Sequence, residues 1–138
     1  MRLDRELIQI IELYLELPAR RLYGEAFFGG RVSEETKKEV SAALAKAVRA
    51  LGKLARFQPF IAGPEFSYAD CAAYAHLPVV SSASRAVLGA DALASVAGIA
   101  DYMKFISDQL GVEIGIISTG PDRDATIIVP GSKLALWL

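Results

Sequence analysis

Phe60-Ile61-Ala62-Gly63-Pro64-Glu65-Phe66-Ser67-Tyr68-Ala69-Asp70 carries the strongest local signal in the chain. Gly63-Pro64 cannot continue a helix, so the chain turns there. Ser67 then stands where an N-cap belongs. Asp70, three residues on, can accept from the Ser67 backbone N–H while the Ser67 hydroxyl accepts from the Asp70 N–H. That is a capping box with Asp in place of Glu or Gln. Phe66 and Cys71 flank the box at the two positions of a hydrophobic staple. The run that follows, Cys71-Ala72-Ala73-Tyr74-Ala75-His76-Leu77, is almost uncharged. A helix with so little polar surface has to be buried. The sequence therefore predicts a central helix over 67–77, with Cys71 in the core and Pro78 ending the helix or starting the next.

Working outward, residues 4–17 carry Leu7, Ile10, Ile11, Tyr14 and Leu17 at spacings of three and four, the pattern of an amphipathic helix. Pro18 kinks or interrupts it, and 19–23 can resume it. Gly24 and Gly29-Gly30 bracket Glu25-Ala26-Phe27-Phe28, read as an apolar loop. Ser33 caps a second long helix, whose first turn holds Glu34 and Glu35. Its core stripe is Val40, Leu44, Ala47, Leu51 and Leu54. Its other face carries Lys37, Lys38, Lys46, Arg49 and Lys53, the composition of a solvated helix surface or of an anion-binding face. After 67–77 a short helix over 79–88 stops at Gly89, and Asp91 can cap a further turn. A last amphipathic helix over 99–110 presents Ile99, Tyr102, Met103, Ile106 and Leu110, with Gly111 placed to close it.

The pattern changes at Gly111. Residues 112–117 and 125–129 read as strands around the turn-rich 118–124, a hairpin that must pack on something to be stable. Leu134-Ala135-Leu136-Trp137-Leu138 is too apolar to stand in water and should fold back or find a partner. The expectation is a mainly α bundle over 1–110 with a β-hairpin and apolar tail over 111–138.

The chain has 138 residues, 53% of them apolar, and a net charge of −1 from 15 basic and 16 acidic residues. Mean hydropathy is +0.33. These values exclude a disordered chain and give no sign of a nucleic-acid or anionic-membrane surface. One cysteine excludes an internal disulfide. No signal peptide and no membrane-length apolar run is visible, so a cytoplasmic protein is expected.

On the residues just quoted, the string from Phe60 to Tyr74 resembles the segment opening the buried central helix of the all-helical C-terminal domain of glutathione S-transferases. Two long antiparallel helices, a Gly-Pro turn and a buried helix follow the order of that domain, and the resemblance extends from about Leu3 to about Leu93. It implies that Ser67 and Asp70 serve folding rather than catalysis. It also implies that the first long helix contributes to the pocket for an electrophilic substrate. By position, Tyr14, Arg20, Arg21 and Tyr23 are then the substrate-binding candidates. Arg20-Arg21 can equally contact another domain or be a solvated turn. In the family a thioredoxin-like domain holds glutathione and activates its thiol, and no segment of this sequence resembles it. Glutathione would thus be a co-substrate only if such a domain acts in trans, and the chain alone is expected to be inactive. Surface left bare for that domain argues for a homodimer or for packing against the tail over 111–138. A non-enzymatic helical module docking on another protein is the alternative.

A second resemblance lies near the end. Residues 98–129, with Ile116-Ile117-Ser118-Thr119-Gly120-Pro121-Asp122-Arg123, look like the C-terminal segment of adenylosuccinate synthetases. There the matching Ser118, Thr119 and Gly120 would help hold the guanine of GTP. The chain carries no phosphate loop of that kind, and Gly-Pro-Asp-Arg is a good turn by itself.

Few catalytic constellations are present. One histidine rules out His-rich metal sites, so no metal is expected. His76, read as lying near the C-terminus of the buried helix, can bond a free carbonyl there. No catalytic residue is assigned.

Overall fold

The computed structural model describes residues 2–111, 116–118 and 126–128. The first helical rod runs α1 (Arg2–Gln9), a π-helical segment (Ile10–Glu16) and α2 (Leu17–Phe28). It is followed by α3 (Glu34–Leu54), α4 (Tyr68–Leu88), α5 (Ile99–Leu110), β1 (Ile116–Ser118) and β2 (Thr126–Ile128). The architecture is mainly helical, as the sequence predicts. α4 lies at its centre, packed against all three parts of the first rod and against α3 and α5.

α4 departs from the expected 67–77. It runs unbroken to Leu88, with Pro78 inside it and Gly89 closing it in the left-handed region at φ 82°. Tertiary packing overrides the proline. Ala69, Ala72, Ala73, Leu77, Val79, Val80, Ala83 and Val87 are all buried, and burial on both sides of Pro78 offsets one lost backbone hydrogen bond. His76 therefore sits in mid-helix rather than near an end, so it has no free helix carbonyls to cap. Cys71 is exposed, not a core residue. The inward positions of the first turn are Ala69, Asp70, Ala72 and Ala73, and 71 falls on the far side. Phe66 is also largely exposed, so it does not staple Cys71; it meets Phe60 edge-on at 5.9 Å.

The first rod differs from expectation in two ways. Residues 25–28 are helical, not a loop, and the helix closes at Gly29 with φ 75°. Gly30 donates to the Gly24 carbonyl at 2.8 Å, an approach a Cβ at Gly30 would crowd at 3.1 Å. The π-helical turns also change which side faces inward. Their i→i+5 bonds insert residues into the turn. Leu15 and Glu16 become buried, and Tyr14 and Leu17, expected in the core stripe, face outward.

α3 keeps its predicted stripe: Val40, Leu44, Ala47 and Leu51 are buried with Val48, and Leu54 is partly so. Ser33 Oγ accepts from Thr36 N–H at 3.1 Å. Glu25, on α2, reaches α3 through Lys37 Nζ at 3.6 Å and accepts from Val32 N–H at 3.1 Å. That backbone bond holds the Glu25 carboxyl below its usual range. Asp91 Oδ1 accepts from Leu93 N–H at 2.9 Å, capping a turn before α5, and from Ser81 Oγ at 2.8 Å. Buried Ser84 accepts from Ala92 N–H at 3.0 Å, tying the same loop to α4. α5 presents Ile99, Tyr102 and Ile106 inward and closes at Gly111 with φ 62°.

β1 and β2 pair antiparallel, Ile116 opposite Ile128 and Ser118 opposite Thr126, and Ile127 is buried. Ser118 belongs to the strand rather than to the loop. Residues 112–115, the 119–125 stretch and the apolar tail Leu134–Leu138 lie outside the described residues.

Candidate functional site

Two buried carboxylates organise the polar interior, and they do different work. Asp70 is fully buried. Its Oδ2 accepts from Ser67 N–H at 2.9 Å, and its Oδ1 from Ile61 N–H at 2.9 Å and Tyr102 Oη–H at 2.6 Å. Ser67 and Asp70 thus stand in capping-box geometry, with the Asp70 half the tight one. The Ser67 hydroxyl makes no close hydrogen bond, and Asp70 N–H closes on the Ser67 carbonyl at 3.0 Å. One carboxylate therefore fastens the 57–66 turn, the start of α4 and α5 together. All its bonds are to donors of the scaffold, which marks it as structural. The spacing Ser-x-x-Asp exposes the cap in the sequence; nothing in it shows Tyr102, 32 residues away.

Tyr102 is buried beside Phe57, ring centroids 4.9 Å apart. Burial, then the bond to Asp70, pushes its phenol far above the ordinary tyrosine range. Burial likewise raises Tyr23, helped by the nearby Glu16 carboxylate. An unfolded tyrosine ionises near pH 10. A raised folded value means the stabilisation is whole below that pH and is lost as pH climbs above it. Alkaline unfolding, followed by circular dichroism, should therefore begin at about pH 10, and Tyr102→Phe should make its onset shallower.

The second carboxylate is Glu16, 2% exposed at the end of the π-helical segment. Sequence reading missed it because glutamate in an amphipathic helix is ordinarily solvated. The irregular turn turns it inward. Both its oxygens accept from Arg20 Nε, at 2.8 and 2.9 Å. Arg20 itself is 41% exposed. Tyr23, one turn on, is buried against Phe27 at 5.4 Å, and its hydroxyl makes no hydrogen bond of good geometry.

The four substrate candidates thus separate. Tyr14 is 60% exposed, with Leu13 and Leu17 beside it at 51% and 47%. Arg20 flanks this apolar strip from the Glu16 side. Arg21 is bridged to Glu39 of α3 at 2.9 Å. Tyr23 points into the core and lines no surface. Ser118 sits on β1, while Thr119 and Gly120 fall outside the described residues. The Nδ1 of His76 is buried without a partner. Among the described residues no group of acidic, His or Cys side chains gathers as a metal site, and no helix is long and apolar enough to cross a membrane.

Comparison with known proteins matches both parts of the chain. A "Glutathione S-transferase" of Pseudomonas putida is 38% identical over 90 residues, 65% of this chain and 41% of that protein. The chain thus spans less than half of that relative. "Adenylosuccinate synthetase" of Marinomonas sp. is 55% identical over 29 residues, and that of Koribacter versatilis 47% identical over 38. These are short segments, 7% and 9% of those proteins. The family model of the glutathione S-transferase C-terminal domain matches residues 6–138. With the helical order and the central α4, this shows that the chain belongs to the glutathione S-transferase C-terminal domain family.

Proposed function

We propose that this domain supplies the electrophile-facing half of a glutathione transferase, and that glutathione is bound and its thiol activated by a thioredoxin-like domain acting with it. The observation that carries this reading is that, among the described residues, Leu13, Tyr14 and Leu17 of the first rod are large apolar side chains exposed close together, followed by Arg20 and Arg21. Apolar side chains left bare together suit an aromatic or aliphatic substrate body or an opposing subunit. On this reading the helical unit extends through residue 110 and 111–138 packs on it, the protein works in the cytoplasm, and it pairs as a homodimer. No metal or organic cofactor takes part, and neither nucleic acid nor membrane is a partner.

A thermal melt with millimolar glutathione tests the division of labour. A ligand at about 100 times its dissociation constant adds about 2.7 kcal/mol, a rise of several degrees. The 138-residue chain alone should show no such rise. A clear rise would place the glutathione site here and overturn the proposal.

The exposed apolar residues of the first rod, Leu13, Tyr14, Leu17 and, at its far end, Phe28 at 45% exposure, favour a second reading: a non-enzymatic module that docks through this rod. Its signature is association with a partner protein that Leu17→Glu abolishes, without any glutathione-dependent rate once a thioredoxin-like domain is supplied. GTP binding through Ser118, Thr119 and Gly120 rests on the short tail similarity alone, and GTP in the same melt tests it.

A further inference from the structure

The geometry points to Arg20 as an anion-recognising residue, so that the substrates this surface prefers are apolar bodies carrying a carboxylate. The inference rests on the electrophile-facing reading above and adds the substrate class. Arginine usually meets an internal carboxylate with a terminal nitrogen. Here the Nε–H is shared by both oxygens of buried Glu16. Among the described residues the two terminal amino groups make no hydrogen bond, and the side chain is 41% exposed. The guanidinium is therefore anchored at its inner edge and presents its outer donors to solvent. A planar carboxylate can take two parallel bonds from such donors.

The placement beside the apolar strip gives the class. Leu17 and Arg20 are spaced three apart on α2, one side of that helix, and Leu13 precedes them in the π-helical segment. An aromatic body lying on Leu17 would bring a carboxylate at its end to Arg20. Arg21 differs in that a terminal nitrogen is engaged by Glu39, which partly neutralises it. Glu16 lies inside and Arg20 outside, so an approaching anion meets the cation first although the pair is neutral in sum. Because Arg20 stays partly solvated, the preference is modest: a factor of about three to five, the size of an exposed charged contact.

The test compares naphthalene-2-carboxylate with naphthalene-2-carboxamide, titrated into the 138-residue protein and followed by NMR shifts of the first rod. The carboxylate should bind about three to five times tighter. Arg20→Gln should remove that preference, so that the two probes bind alike; Arg20→Lys should keep part of it. Gln can still donate to Glu16, and each variant's melt reports its folding. Equal binding of both probes to the folded wild type, or a preference that survives Arg20→Gln, overturns the role of Arg20 while the apolar surface stands. Amide binding that Leu17→Glu does not weaken, or no binding of either probe, overturns the surface itself and the inference with it.

Discussion

Replacing Asp70 with Ala should cost about 3–5 kcal/mol, the largest loss of any single polar change in this domain. The substitution strands three donors at once: Ile61 N–H, Ser67 N–H and Tyr102 Oη–H. Each donor left buried and unpaired costs about 1–3 kcal/mol, discounted here because Ser67 is partly accessible to water. Tyr102→Phe removes one bond and leaves Asp70 with two, so its loss should be about 1 kcal/mol. Asp70→Asn should fall between them. Its single carbonyl oxygen can serve Ile61 and Tyr102, but its amide would then face the Ser67 N–H, donor against donor. Denaturant unfolding of the three variants measures this ranking. A cost for Asp70→Ala no larger than that for Tyr102→Phe would show that water replaces the carboxylate, and that the clamp across the turn, α4 and α5 carries no weight.

The second large effect concerns Glu16. Arg20→Ala should cost about 2–3 kcal/mol, because it leaves a buried carboxylate without its partner. The value sits at or below the ~3–5 kcal/mol of fully buried pairs, since Arg20 is itself partly exposed. Removing the charge together with its partner should be milder. In a double-mutant cycle, Glu16→Gln with Arg20→Ala should be less damaging than the sum of the single changes by about 1 kcal/mol or more. Additive losses would mean that the two groups do not stabilise one another.

The sequence carries the helical plan because most of it is local. Ser33 and Ser67 start helices, Gly89 and Gly111 stop them, and apolar spacing marks the inward faces of α3 and α5. The failures share one cause: context beyond the local pattern. Pro78 reads as a terminus, yet burial on both of its sides keeps α4 continuous. Residues 25–28 look like a loop between glycines, yet they extend a helix already held in place by Leu22 and Tyr23. Cys71 reads as core because its neighbours are apolar, but the helix turns it outward. The π-helical segment is the hardest to foresee. No residue in Ile10–Glu16 announces it, and it alone exchanges Tyr14 and Leu17 for Leu15 and Glu16 at the core.

That exchange decides what was legible of the candidate site. Tyr14, Arg20 and Arg21 are each exposed, and the feature that anchors Arg20 is Glu16, a residue with no motif. Tyr23, grouped with them by position, belongs to the interior. Of the Asp70 clamp the cap was legible and the Tyr102 bond was not, since hydrogen bonds between distant segments leave no local trace.

The most direct measurement is glutathione conjugation of 1-chloro-2,4-dinitrobenzene, by the 138-residue chain alone and with a thioredoxin-like transferase domain fused ahead of Met1. The chain alone should show the uncatalysed rate and the fusion a glutathione-dependent rate, reduced by Leu17→Glu. Conjugation by the chain alone, or a folded fusion no faster than the uncatalysed reaction, would contradict the proposed function.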